Sequence, residues 1–463
     1  MNSTSTSQAS GLFATATDPV KMRAILERHL RVPGGPPLEV VQCTPSFMRG
    51  RGSRSLFQYD LTLRQPDGQE SSKLVSGVAF GGERTRKTWE TLDLLDTEIP
   101  RESNIRRVAY VPDLDLLLQV FPFDHALPAL ERLMTGPLEG LLEPILARFG
   151  HGDWRLEEWH SESVRYRVDL RASVKLTVRA TDQGAGRRSE RRFFAKVYAG
   201  DQAERAWTIQ QDLAVALAAA SDPFALAPLV TYLPEARVLV QNEVEAPSLP
   251  YMIRRAERGE AVEAVRRAAR AIAALHLLPV AAPAHRIELD RTDPERLRRS
   301  ADALRKSRPE LAAAVSDVEA EILARLDAIG QLGPVPTHGD LKPPHLLFDE
   351  ERVVLLDLDK FAAGDPMLDV TSMLMPLRRE RKTRLAGTSL ARVFAEEYFA
   401  RVPREWEQRL TPHYAWAILD EASEFAMNPR KSDAGAKISR RVRREQRVEP
   451  LLEDAIGVLA GRV

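Results

Sequence analysis

The chain has 463 residues, 44% of them hydrophobic, and its 66 basic residues are balanced by 66 acidic ones. That length is too great for one ordinary core, so two or three domains are expected, and zero net charge argues against a general nucleic-acid binder. The single cysteine, Cys43, excludes an internal disulfide and a cysteine zinc site, and reads as a small apolar residue on or near a strand.

Residues 1–19 open with Met1-Asn-Ser-Thr-Ser-Thr-Ser-Gln-Ala-Ser, which has neither a basic region nor a long apolar stretch. This reads as a disordered lead, not a signal peptide. No window reaches the ~18 uninterrupted apolar residues of a spanning helix. The expectation is a cytoplasmic protein with no membrane partner and no specific nucleic-acid partner.

The next elements occur twice. An apolar helix around Met22–Leu30 is followed by an alternating, strand-like run Leu56–Leu63 and a turn at Gln65-Pro-Asp-Gly. A strand, a helix with Lys87-Thr-Trp-Glu, and a strand pair in Ala109-Tyr-Val-Pro-Asp-Leu-Asp-Leu-Leu-Leu-Gln119 complete the unit. The second copy has a helix around Leu141–Phe149, hairpin strands in Tyr166–Val178 and a turn at Thr181-Asp-Gln-Gly-Ala-Gly. Arg205-Ala-Trp-Thr and Thr231-Tyr-Leu-Pro-Glu-Ala-Arg-Val-Leu-Val-Gln241 follow. Tyrosine, proline, acidic residue and glutamine match without a gap at an offset of 122 (Tyr110 against Tyr232), and the tryptophans match at 118 (Trp89 against Trp207). Three blocks in the same order mark an internal repeat.

Beyond residue 247 the spacing becomes helical. Ala261–Leu278 carries apolar residues at helical intervals with arginines opposite. A loop at 334–359 then interrupts the helices, which resume to the end of the chain. Within and after it lie Thr337-His338-Gly339-Asp340-Leu341-Lys342-Pro-Pro-His345, the apolar run Val353-Val-Leu-Leu, Asp357-Leu-Asp359, and Gly364-Asp365-Pro366-Met-Leu-Asp369. This array resembles the catalytic loop and metal-binding segment of the aminoglycoside phosphotransferase and choline kinase family.

The resemblance implies an α+β, bilobal kinase-like fold, with an antiparallel-sheet N-lobe and a mainly helical C-lobe, preceded by a degenerate duplicate of the N-lobe. Its domains are expected at 1–19 (lead), 20–135 (degenerate N-lobe-like repeat), 136–246 (nucleotide-binding N-lobe) and 247–463 (helical C-lobe with the catalytic loop). Phosphoryl transfer needs positioning and charge neutralisation more than covalent chemistry. A carboxylate at a loop tip that orients and deprotonates the attacking hydroxyl suits Asp340, and a lysine two residues on, Lys342, steadies the transferring phosphate. Asp357, across the hairpin 345–356, is the expected Mg²⁺ ligand, with Asp359 as a second. Asp365 and Asp369 are read as caps and braces of the loop, and His338 as a brace.

Two positions depart from the family. His345 stands where an asparagine usually binds metal, and imidazole is a poorer partner for magnesium than an oxygen donor. Lys342 replaces a histidine frequent in small-molecule phosphotransferases and matches protein kinases. In the nucleotide lobe, Lys196 within Arg191-Arg-Phe-Phe-Ala-Lys-Val-Tyr is implied to contact the α/β-phosphates, with Glu204 as its partner and Asp212 in reserve. The base is expected near the segment after Val238–Glu243. A phosphate loop is sought at Trp159-His-Ser-Glu-Ser163, which has no glycine.

Lys196 falls opposite about Gly77 in the first copy, so residues 20–135 are expected to have lost nucleotide binding. They are expected to cap the active lobe, bind a regulator or mediate homodimerisation. The leading function is transfer of the γ-phosphate of ATP, with GTP left open, to a hydroxyl of a sugar, amino alcohol or aminoglycoside. The alternative is a catalytically weak pseudokinase acting as a nucleotide- or partner-binding regulator; a protein kinase rests on Lys342 alone. Asp420, Glu421 and Glu424 are candidate contacts for an amine-bearing substrate, or ordinary surface groups. The basic run Lys437-Ile-Ser-Arg-Arg-Val-Arg-Arg reads as a solvated helix face.

Overall fold

Alternation of apolar and polar residues carries much of the first half of the chain into strands, and helical spacing organises most of the second half. The computed structural model describes residues 11–35, 37–51, 54–64, 67–81, 83–95, 105–218, 224–255, 257–279, 293–379, 389–427 and 448–462. Residues 1–10 of the expected lead and the basic run at 437–444 lie outside the described residues. Two units are present, Met1–Glu204 with Val230–Asn242, and Arg205–Leu229 with Glu243–Val463. Among the described residues no helix is long and apolar enough to cross a membrane.

The first unit contains two five-stranded sheets. Strands β1 (Glu39–Arg51), β2 (Arg54–Arg64), β3 (Glu70–Ala79), β4 (Val108–Val111) and β5 (Leu116–Val120) form one, in the order β1-β2-β3-β5-β4. Strands β6 (Trp154–Arg167), β7 (Arg171–Asp182), β8 (Arg187–Tyr198), β10 (Leu229–Leu233) and β11 (Val238–Asn242) form the other, in the order β10-β11-β8-β7-β6; β9 (Phe224–Leu226) pairs elsewhere. Both sheets therefore place their last strand between the third and the fourth. A helix follows the third strand in each, Glu83–Leu95 and Gln202–Ala218. The closing hairpins match in detail. Asp115 (φ 46°) and Arg237 (φ 52°) are left-handed at equivalent places, and their N–H groups donate to Pro112 O and Pro234 O, both at 3.1 Å. The leading helices differ: Pro19–Leu30 has 12 residues, whereas its counterpart is a short helix, Leu142–Leu146, continued by the 3₁₀ turn Ala147–Phe149.

Strand register refines the comparison of the two copies. Leu239 of β11 lies opposite Lys196, and Leu117 of β5 lies opposite Val78. The residue equivalent to Lys196 is thus Val78, one position beyond Gly77, and in a strand one position is a change of face. Val78 is fully buried, while at Gly77 an added Cβ would meet Leu116 Cδ1 at 3.1 Å. Each sheet packs one face on its own core. Phe57, Tyr59, Leu61 and Leu63 meet Met22, Leu26 and Leu30 in the first. Val174, Leu176, Val178, Phe193, Ala195 and Val197 meet Leu130, Leu133, Leu141 and Ile145 in the second. Cys43 is buried on β1, and burial pushes its thiol pKa up to about 11.

The second unit is mainly helical. Its central helix, Arg258–His276, opens with a capping box between Glu257 and Glu260 and buries Val265, Ala268, Ala269 and Ile272. Helices Pro294–Ser307, Ala312–Ile329, Met367–Arg379, Leu390–Phe399, Leu410–Met427 and Val448–Leu459 share its core. Four short strands carry the intervening loop: β12 (Val335–Thr337), β13 (Leu346–Phe348), β14 (Val353–Leu355) and β15 (Ala362–Gly364). β12 pairs with β15 and β13 with β14, both antiparallel, and β14 pairs with β9 in parallel.

Val78→Lys places an ammonium in a fully buried apolar site. It is expected to lower unfolding free energy by about 3 kcal/mol or more in urea denaturation. A loss under about 1 kcal/mol would show that this face is open to water.

Candidate active site

The loop after β12 is built around buried hydrogen bonds. Thr337 Oγ1 donates to Ala362 O at 2.8 Å, tying β12 to β15. Gly339 adopts φ 75°, a conformation that L side chains rarely take. The His338 and Gly339 N–H groups donate to Asp369 Oδ2 (2.6 Å) and Oδ1 (3.0 Å), respectively. Asp369 lies in the first turn of helix Met367–Arg379 and is 1% exposed. His276 Nε2 lies 3.1 Å from Asp369 Oδ2, and its Nδ1 lies 2.7 Å from the Tyr398 hydroxyl. Burial acts to raise the Asp369 pKa. The hydrogen bond from His276, with the charges of His276 and His338 and the His338 N–H, outweighs it and holds the carboxyl below its ordinary value.

Asp365 performs the second brace. Its Oδ1 caps Met367 N at 2.9 Å, and its Oδ2 accepts from Arg409 Nε (3.0 Å) and Nη2 (2.5 Å). His338 Nε2 is 2.9 Å from Leu356 O, which holds that ring against the returning hairpin.

Asp340 projects from this frame with its side chain 12% exposed. Lys342 Nζ donates to its Oδ2 at 2.9 Å, and Lys360 Nζ lies 3.4 Å from its Oδ1. Burial acts to raise the Asp340 pKa, but the Lys342 hydrogen bond and the charges of both lysines outweigh it, so the net shift is downward. Lys360 and His276 were not singled out in the sequence. Lys360 ends the 3₁₀ turn Leu358–Lys360, which swings it back to Asp340. The signal for His276 was an imidazole inside an otherwise apolar helical stretch.

Asp357 is half-buried and left-handed (φ 61°). His345 Nε2 lies 3.9 Å from Asp357 Oδ2, and the His345 ring stacks on His338 at 5.6 Å and 15°. Burial first, then the neighbouring His338, lower the His345 pKa to about 4, so its imidazole is neutral at pH 7. Asp359 is half-buried within the 3₁₀ turn. Among the described residues, the group of three donors within 4.8 Å of one another is Asp124, His125 and Asp169; His345, Asp357 and Asp359 do not form such a group. The Asp357 carboxylate fits a hard divalent cation, and the neutral His345 nitrogen does not suit magnesium.

In the other unit, Lys196 is half-buried between the buried Ala195 and Val197, on the face away from the core. Glu204 is exposed in the first turn of helix Gln202–Ala218. Residues 159–163 fall inside β6, so they are not a phosphate loop; the turn between the first two strands of this sheet is 168–170. Asp420 is held by Arg296 Nε (3.0 Å) and Ser300 Oγ (2.7 Å), which makes it an interhelical tie. Glu421 is half-buried and Glu424 exposed.

Residues 177–407 match the family described as the phosphotransferase enzyme family. No curated protein matches the chain significantly. Among solved structures, it is similar to aminoglycoside phosphotransferase APH(2'')-Ib with bound ADP, at 13% identity and TM-score 0.41, over 70% of this chain and 99% of that one. It is similar to the streptomycin–ATP complex of APH(2")-IIa at 14% identity and TM-score 0.41, over 70% and 99%. A choline/ethanolamine kinase family protein from Mesorhizobium loti gives 16% identity and TM-score 0.40, over 65% and 91%.

Asp369→Ala leaves two buried N–H groups and His276 without their acceptor. It is expected to cost about 3 kcal/mol or more of unfolding free energy at neutral pH. Because the folded-state pKa is lowered, the wild-type advantage is complete above about pH 4 and is lost as pH falls through the lowered value. Urea denaturation of both proteins between pH 3 and pH 7 checks the size and the sign.

Proposed function

We propose that this chain, a member of the phosphotransferase enzyme family through residues 177–407, transfers the γ-phosphate of ATP to a hydroxyl of a small molecule. The observation that carries this reading is the Asp340 carboxylate, held between two ammonium groups on a loop fixed by Asp369. Kept ionised, Asp340 accepts a hydrogen bond from the substrate hydroxyl and orients its oxygen for attack. The same two lysines weaken Asp340 as a base. Proton transfer to it therefore runs late, as the hydroxyl oxygen bonds to phosphorus and becomes acidic. Lys342 and Lys360 also supply positive charge for the transferring phosphoryl group.

Lys196 is the nucleotide-lobe residue that supports phosphate binding in this reading, with Glu204 as the acidic group of the following helix. Asp357 would hold the divalent cation, which would supply positive charge against the nucleotide phosphates. The acceptor class, a sugar, amino alcohol or aminoglycoside, follows from the family and not from any side chain of this site. A second reading, a regulatory pseudokinase, is favoured by His345, whose imidazole replaces an oxygen donor beside Asp357.

Thermal stabilisation by ATP with Mg²⁺ or Mn²⁺, together with ATP turnover, tests both readings. Asp340→Asn is expected to retain nucleotide stabilisation and lose about 10²-fold or more of turnover. Asp357→Ala is expected to lose stabilisation and turnover together. Stabilisation without turnover in the wild type would favour the pseudokinase, and absence of both would overturn nucleotide use.

A further inference from the structure

The face of the first sheet that carries Val78 is filled. Val78, Phe80, Val108 and Leu117 enclose Val168, from the turn between β6 and β7, in a separate apolar cluster. The same turn enters a buried polar network. The Asp169 N–H donates to Asp124 Oδ2 at 2.8 Å, and the Tyr166 hydroxyl donates to the same oxygen at 2.8 Å. Ser76 of β3 lies 3.4 Å from that hydroxyl. The Asp169 carboxylate, 2% exposed, forms an ion pair with Arg54 of β2, and its Oδ1 lies 3.3 Å from His125 Nδ1. His125 is placed in turn by the fully buried Gln119, whose Oε1 accepts its N–H at 2.7 Å. The Arg54 guanidinium supplies the cation among these carboxylates, so the cluster is not read as a metal site.

The turn sits at the Lys196 end of its sheet. Arg171 pairs with Tyr198 and Ser173 with Lys196, so the chain enters β7 from the turn within a few residues of the lysine. The Leu170 carbonyl also accepts from Ala199 N at 3.0 Å, just beyond β8. A residue of the first sheet thus neutralises a carboxylate carried by the turn that borders Lys196.

We propose that the first sheet and the segment following it, through Arg54 of β2 and through Asp124 and His125 just after β5, form a positioning clamp on the β6–β7 turn that sets the ATP affinity of the lobe carrying Lys196. The proposal rests on the phosphotransferase reading for its link to ATP. Arg54 and Asp124 act through the turn and do not touch nucleotide. With Arg54 removed, Asp169 is an uncompensated carboxylate near the triphosphate, and both the loosened turn and the repulsion weaken binding.

The test combines ATP titration with hydrogen exchange of the amides at 166–171 in the full chain. Arg54→Ala is expected to speed exchange in the turn, but not in the centres of β7 and β8, by about tenfold, and to weaken ATP binding by about tenfold. Adding Asp169→Asn removes the stranded charge and is expected to restore affinity to within about threefold of wild type. Arg54→Lys, which keeps the pair, is expected to behave as wild type in both measurements. Unchanged exchange at 166–171, or accelerated exchange throughout the unit, overturns the clamp. A loosened turn with unchanged ATP affinity, or no recovery in the double variant, overturns the coupling to nucleotide. Failure of wild type to bind ATP overturns the phosphotransferase reading, while the exchange result still decides the clamp.

Discussion

The carboxylate of Asp369 fixes where the loop after β12 can lie. It is buried, so it must be fully hydrogen-bonded, and its partners are the two backbone N–H groups that begin the turn of the loop, together with His276 from the central helix. His276 in turn meets the Tyr398 hydroxyl. One buried charge therefore connects three helices to a two-residue stretch of loop. Asp340, the next residue, inherits its position from that arrangement. Asp340 can then stay partly exposed, because the carboxylate that holds its loop is buried.

The chemistry reflects a balance of charge in a small volume. Two ammonium groups face Asp340, and a neutral imidazole stands beside Asp357. Lysine side chains place this positive charge on the protein itself, unlike charge supplied by a bound cation. In the proposed reaction Lys342 and Lys360 neutralise part of the phosphoryl charge that an additional metal ligand would otherwise help to hold. The cost is a weaker base at Asp340, which suits a reaction whose proton moves late.

Much of this was legible in the sequence, for identifiable reasons. The repeat shows because Pro112 with Asp115 and Pro234 with Arg237 build the same hairpin, and hairpins constrain residue type tightly. The loop motif shows because glycine at φ 75° and aspartates at fixed spacing leave few substitutes. Other features depend on contacts between residues far apart in sequence. Lys360 reaches Asp340 only because a 3₁₀ turn folds it back, and a lysine after an aspartate carries no such signal. The phosphate loop sought at residues 159–163 falls inside one long strand, 154–167, and no glycine or proline marks where that strand ends. The pairing of Arg54 with Asp169 spans 115 positions, and nothing local to either residue announces it.

In the proposed function, Asp340 directs phosphoryl transfer to a hydroxyl acceptor. ³¹P NMR of the protein with ATP, a divalent cation and a panel of sugars, amino alcohols and aminoglycosides reads this directly. A new phosphomonoester resonance is expected to grow with ADP in the wild type and to be absent with Asp340→Asn. Release of inorganic phosphate alone, at the same rate in both proteins, would contradict it.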